Sequence, residues 1–201
     1  MVPKSCNGIV DCVLKLKSPF PESFVDIIKS QPLERFALCS HDACIQEEDK
    51  KVIYALEFRS GTLKELTFES IDFQGIDLSV MSKLDRLERL ELVSCKQFLF
   101  TKKLHLKELV LGCFIDNELK MMINPLLSEE LYKLKFTCIV TPEMARAVGE
   151  SCPNLKYLLI DVEPNEILSS AISHICELSS LKILNIDEWI LIDQLKSWGI
   201  I

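Results

Sequence analysis

"CPNLKYLLI", residues 152–160, sets apolar side chains at Leu155, Leu158 and Ile160, with Lys156, Tyr157 and Leu159 between them. Residues two apart in a strand share a face, so Leu158 and Ile160 point one way while Tyr157 and Leu159 point the other. One such strand buries too little apolar surface to fold alone. The role of Cys152 therefore turns on whether this pattern is local or recurs.

It recurs. The spacing L-x-x-L-x-L, with aromatic or aliphatic substitutes, appears at "LERFAL" (33–38), "LKELTF" (63–68), "LERLEL" (87–92), "LKELVL" (106–111), "LYKLKF" (131–136), "LKYLLI" (155–160) and "LKILNI" (181–186). Successive copies start 30, 24, 19, 25, 24 and 26 residues apart, and a weaker copy, Ile9, Cys12 and Leu14, lies 24 residues before Leu33. A period of this size marks a repeat architecture, in which stacked units bury a common core that no unit closes alone.

Segments of helical period lie between the copies. Thr141 is placed to cap a helix that has Pro142 at its first position and ends before Pro153. Its apolar stripe is Met144, Ala147, Val148 and Cys152, and the next unit repeats it as Leu168, Ala171, Ile172 and Cys176. Val52, Ala55 and Leu56, with Ile45 ahead of them, form an earlier face that stops at Gly61. Each unit is thus expected to run strand, turn, helix, turn. The matching places of Cys152 and Cys176 predict two buried, packed thiols.

"SCPNLKYLLI" (151–160) and "LERLELVSC" (87–95) resemble leucine-rich repeats of the cysteine-containing, F-box-associated (ribonuclease-inhibitor-like) type, over about residues 9–190. The resemblance implies an α/β leucine-rich-repeat solenoid, a curved right-handed stack of strand–helix units with a parallel sheet on its concave face. Residues 1–201 then form a single domain of about seven to eight repeats, with 188–201 as a candidate C-terminal cap built on Trp189, Ile192, Leu195 and Trp198. In this repeat type a Cys or Asn often stands at the ninth motif position. Cys95 occupies it here, Cys113 and Cys138 fall one residue early, and Ile71, Glu163 and Trp189 stand in other units. The family also places an F-box ahead of its repeats. "FPESFVDIIKSQPLERFALC" (20–39) has some likeness to an F-box opening but reads better as the helix leading into the Leu33 strand.

Composition narrows the function classes. With 48% apolar and 26% charged residues in 201, the chain has the make-up of a folded domain with a substantial core. The net charge of −7 and the lack of a basic block argue against nucleic acid as a partner. No apolar run approaches the ~18 residues needed to span a bilayer, so no membrane role is expected. Asp11, Lys15 and Lys17 interrupt any signal-peptide core, which points to an intracellular protein, cytoplasmic or nuclear. The nine cysteines are odd in number and include no C-x-x-C pair, so they read as reduced thiols.

Chemistry finds little purchase. "CSHDAC" (39–44) gathers Cys39, His41, Asp42 and Cys44, the one compact constellation for a Cys/His-dependent enzyme or a metal. Its spacing is irregular and it lacks a second ligand pair, so no metal is expected. There is no nucleophile elbow, phosphate loop or H-E-x-x-H, and six glycines leave little to build a phosphate cradle. Neither an enzyme nor a cofactor is expected.

The outward strand positions remain. They are Arg35 and Ala37, Glu65 and Thr67, Arg89 and Glu91, Glu108 and Val110, Lys133 and Lys135, Tyr157 and Leu159, and Ile183 and Asn185. A protein partner is expected on this concave face, centred on Arg89, Glu91, Lys133, Lys135, Tyr157, Leu159, Ile183 and Asn185, with the two lysines adding selectivity for an acidic segment. The resemblance implies the substrate-binding part of an F-box protein in ubiquitin ligation, with a ubiquitin-ligase adaptor as second partner if an F-box is present. The alternative is a scaffold or inhibitor that acts without a ligase.

Overall fold

The computed structural model describes residues 8–16, 20–40, 50–112, 122–161, 171 and 173–186. Among them, eight strands form one all-parallel sheet in sequence order: β1 Asp11–Leu16, β2 Arg35–Ser40, β3 Glu65–Glu69, β4 Arg89–Val93, β5 Glu108–Gly112, β6 Lys133–Phe136, β7 Tyr157–Ile160 and β8 Ile183–Ile186. Every strand after β1 pairs with the one before it, so the α/β fold grows in one direction, consistent with a solenoid-like stack.

The register aligns the repeated apolar positions. Phe36, Leu66, Leu90, Leu109, Leu134, Leu158 and Leu184 form one inward row, and Leu38, Phe68, Leu92, Leu111, Phe136, Ile160 and Ile186 a second. Both rows are buried through β7 and half-buried on β8. The first leucine of each copy, from Leu33 to Leu155, lies in the same core. Burying such a side chain is worth about 1.5–3 kcal/mol, so the stacked rows supply what a lone strand lacks.

The backbone repeats as well. At each junction two consecutive N–H groups donate to one carbonyl of the preceding unit: Glu88 and Arg89 to Lys64, Lys107 and Glu108 to Glu88, Lys156 and Tyr157 to Tyr132, Lys182 and Ile183 to Lys156. Ser70 and Ser94 take left-handed φ of 58° and 53° at matching places after β3 and β4. These turns are followed by Ile71 and Cys95, both buried. Cys95 Sγ lies 3.3 Å from the Phe68 carbonyl and 3.4 Å from that of Val93, so its one S–H is shared across the rung. At the matching place after β6, Ile139 is exposed and Cys138, one residue earlier, is buried.

The connections pack against the inward rows but are less uniform than the expected strand–turn–helix–turn unit. Helix α1, Ser23–Ser30, precedes β2, so residues 20–40 belong to the stack, with Ile28, Leu33, Phe36 and Leu38 in its core. Arg59 of the next unit closes the end of α1 by donating to the carbonyls of Gln31 and Lys29 at 2.7 and 2.9 Å. Helix α2, Lys50–Tyr54, tightens into a 3₁₀ turn at Ala55–Arg59, burying Val52, Ala55 and Leu56, whereas Ile45 lies outside the described residues. A 3₁₀ turn at Leu78–Lys83 starts on Asp77, which accepts from the Ser79 N–H at 2.8 Å.

Between β4 and β5 there is no helix. The 19-residue repeat leaves too little chain for one, and Phe98, Phe100 and Leu104 fill the space as irregular backbone. Helix α3, Pro142–Ser151, has the expected Thr141 cap, with Met144 N–H donating to Thr141 Oγ1 at 3.3 Å, and the expected buried stripe ending at Cys152. The following unit departs from its predicted stripe. Ala171 and Ile175 face the core while Cys176 is exposed, because a helix turns by about 100° from one residue to the next. Leu168, Ile172 and the candidate cap at 188–201 lie outside the described residues. No described helix is long and apolar enough to cross a membrane.

Candidate recognition face

Alternation sends two rows away from the core. One runs Asp11, Arg35, Glu65, Arg89, Glu108, Lys133, Tyr157, Ile183, and the other runs Val13, Ala37, Thr67, Glu91, Val110, Lys135, Leu159, Asn185. All eight expected contact residues lie on this face: Arg89 and Glu91 on β4, Lys133 and Lys135 on β6, Tyr157 and Leu159 on β7, Ile183 and Asn185 on β8.

The first row alternates in sign from Asp11 to Lys133, and the parallel register turns that alternation into ion pairs. Arg35 Nη2 and Nε reach Asp11 Oδ2 at 2.9 and 3.0 Å. Arg89 holds Glu91 at 2.9 Å and Glu108 at 3.1 Å, and Lys133 reaches the same Glu108 oxygen at 3.2 Å. The other Glu108 oxygen accepts the Tyr132 hydroxyl at 2.7 Å. Partial burial pushes the Glu108 carboxyl up, but the Tyr132 hydrogen bond and the Lys133 and Arg89 cations outweigh it and hold the group below its ordinary value.

The lysines thus have internal partners, contrary to the expectation that they stand ready for an acidic segment. Lys133 is tied to Glu108, and Lys135 reaches Asp161 at 2.9 Å. Val110, read as an outward position, is only 8% exposed. Its short side chain sits in register between the longer Glu91 and Lys135.

A flanking column was missed in the sequence: the second residue of each copy, namely Glu34, Lys64, Glu88, Lys107, Tyr132, Lys156 and Lys182. Its early members pair across rungs, Lys64 with Glu34 at 3.0 Å and Lys107 with Glu88 at 2.8 Å. It borders the open face, because Tyr132 touches Glu108 on one side and packs edge-on against Tyr157 at 6.2 Å on the other. Constant placement within the repeat was the available signal.

Past Tyr132 the face changes character. Tyr157 and Leu159 are half-buried, Ile183 is 49% exposed and Asn185 is exposed. Lys135, Leu159, Ile160, Asp161 and Asn185 line a shallow depression of about 150 Å³. A larger hollow of about 430 Å³ lies on the helical side, and two of its cations are engaged, Lys83 with Glu57 at 2.6 Å and Lys29 over the Phe58 ring at 4.9 Å.

Two of the buried thiols are held in the protonated form. Burial, then the hydrogen bond with Glu69, pushes Cys39 up to about 11, and burial alone outweighs the Ser128 backbone contact to push Cys152 to about 11. Both stay protonated near neutrality, whereas the nucleophile is the thiolate. His41, Asp42 and Cys44 lie outside the described residues, among which no cluster of three or more metal-ligating side chains occurs. His105 pairs with Glu130 at 2.9 Å and His174 approaches Glu177 at 3.9 Å, so neither ring meets a cysteine in these contacts. No protein-family model and no curated protein matches this chain.

Proposed function

We propose that this chain is a protein-recognition module of the leucine-rich-repeat type, reading its partner on the concave, open face of the sheet. The observation that carries the reading is the division of that face. Six rungs of alternating charge, five of them joined by ion pairs, lead into a stretch bearing Tyr157, Leu159 and Ile183. A rim of satisfied polar groups beside uncovered apolar anchors is the usual composition of a contact surface. The protonated Cys39 and Cys152 thiols give no support to a Cys/His-dependent enzyme.

Two settings fit such a module: the substrate-binding part of an F-box protein in ubiquitin ligation, or a scaffold or inhibitor acting without a ligase. Residues 20–40, the stretch with some likeness to an F-box opening, are built into the stack as α1 and β2 and serve the repeat core, so that stretch lends the first setting no support. A pull-down of the purified chain with the small adaptor used by F-box proteins separates them. No retention is expected, and stoichiometric binding mapped to residues 1–45 would overturn that reading. Recognition itself is tested by capturing partners with the wild-type chain and with Tyr157→Ala/Ile183→Ala. A partner set unchanged by the double substitution counts against the open face.

A further inference from the structure

The flanking column follows one rule before Tyr132 and another beyond it. In the flanking column Lys64 faces Glu34 and Lys107 faces Glu88, each cation matched by the acid of the preceding unit. After Tyr132 the column continues with Lys156 and Lys182, two cations in succession. The Lys182 N–H donates to the Lys156 carbonyl at 2.9 Å, which sets the two residues side by side just ahead of adjacent strands, about 4.8 Å apart. Both side chains are exposed, and among the described residues neither ammonium has an acidic partner. Like charges side by side on neighbouring strands are unfavourable, and no described acid relieves them as Glu34 and Glu88 relieve Lys64 and Lys107.

These ammonium groups border the apolar cluster of the open face formed by half-buried Tyr157 and Leu159 and by Ile183, 49% exposed. Tyr157 immediately follows Lys156, and Ile183 immediately follows Lys182. We infer that this end of the face docks a protein segment in which a bulky apolar side chain sits among carboxylates. The apolar group lies against Tyr157 and Ile183, and the carboxylates meet Lys156 and Lys182. The inference rests on the open face being a recognition surface and specifies what that surface reads. The chain's net charge of −7 does not forbid an acidic ligand, because charges beyond a Debye length of about 8 Å are screened at physiological salt while the two lysines act at contact. Two cations also fall short of the six to ten phosphate contacts, roughly, of a typical nucleic-acid site.

The probe is a phage-displayed library of random peptides panned against the full chain, followed by fluorescence anisotropy of the enriched peptides. Enriched sequences should carry two or more Asp or Glu beside Leu, Ile, Phe or Trp. Their affinity should fall by about tenfold or more in Lys156→Glu/Lys182→Glu and with rising salt, and should persist in Arg35→Ala on the self-paired end. Neutral or basic peptides lost only in Tyr157→Ala/Ile183→Ala overturn the acidic preference and leave the recognition face standing. Peptides indifferent to all three variants, or no enrichment, overturn both. Circular dichroism of each variant guards against loss of folding.

Discussion

Tyr132, the residue just ahead of β6, donates its hydroxyl to Glu108 on β5 at 2.7 Å, while its ring packs edge-on against Tyr157 on β7. One side chain thereby spans three units and stands where ion pairing gives way to apolar surface. Glu108 receives three donors in all, from Tyr132, Arg89 and Lys133.

Glu108→Gln should therefore destabilise the chain by about 1–2 kcal/mol at neutral pH, more than an isolated surface pair, because three partly buried donors lose their anion together. The folded-state carboxyl is held below its ordinary value of 4.5, so its stabilisation is complete above that value and is lost as pH falls through the folded one. Urea unfolding of both proteins across pH should show a gap that is constant near neutrality and narrows below about pH 4.5. A gap of constant size down to acid would refute the network.

Gly112 ends β5 against Thr137, and a methyl group there would collide with Thr137 Oγ1, with Thr137 Cβ and Val93 Cα next nearest at ordinary contact. Gly112→Ala should lower stability by about 1–3 kcal/mol through overpacking, and Thr137→Ala in the same chain should recover most of the loss. Thermal melts of the two single variants and the double variant provide the check. An additive double variant would place the cost elsewhere.

Cys176 is exposed, while Cys95, Cys138 and Cys152 are buried. Under native conditions a thiol reagent followed by peptide mass spectrometry should modify Cys176 well before those three, and unfolding in urea should level the rates. Raising the pH toward 9 should leave Cys39 and Cys152 slow, since their thiols titrate near 11. Early labelling of Cys152 would contradict its packed position.

Leu158 and Tyr157 are adjacent on β7 and should behave oppositely. Leu158→Ala, in the buried row, should cost about 2–5 kcal/mol of stability. Tyr157→Ala with Ile183→Ala should leave unfolding nearly unchanged and weaken partner capture. Matching stability losses in both experiments would mean that the outward pair is structural.

Much of the core was legible in the repeat. The inward rows and the Thr141-capped helix follow from periods of 2 and 3.6, which depend on neighbours within a few residues. The missing helix between β4 and β5 was less accessible, because Phe98, Phe100 and Leu104 satisfy the core without helical spacing. Cys176 was misplaced because equal position in a repeat does not guarantee equal rotation when the buried pair is Ala171 and Ile175.

By itself the sequence determined which residues turn inward and which outward, since alternation is a property of the strand's own backbone. Tertiary structure decided what the outward residues have left to offer. Register set Glu108 beside Arg89 and Lys133, and the chain brought Asp161 to Lys135, which removed those lysines from the available charge, while Lys156 and Lys182 were brought together with no acid paired to them among the described residues. A charge's availability depends on what lies about 5 Å across the next strand, and residues some twenty-five positions away in the chain become neighbours only when the units stack.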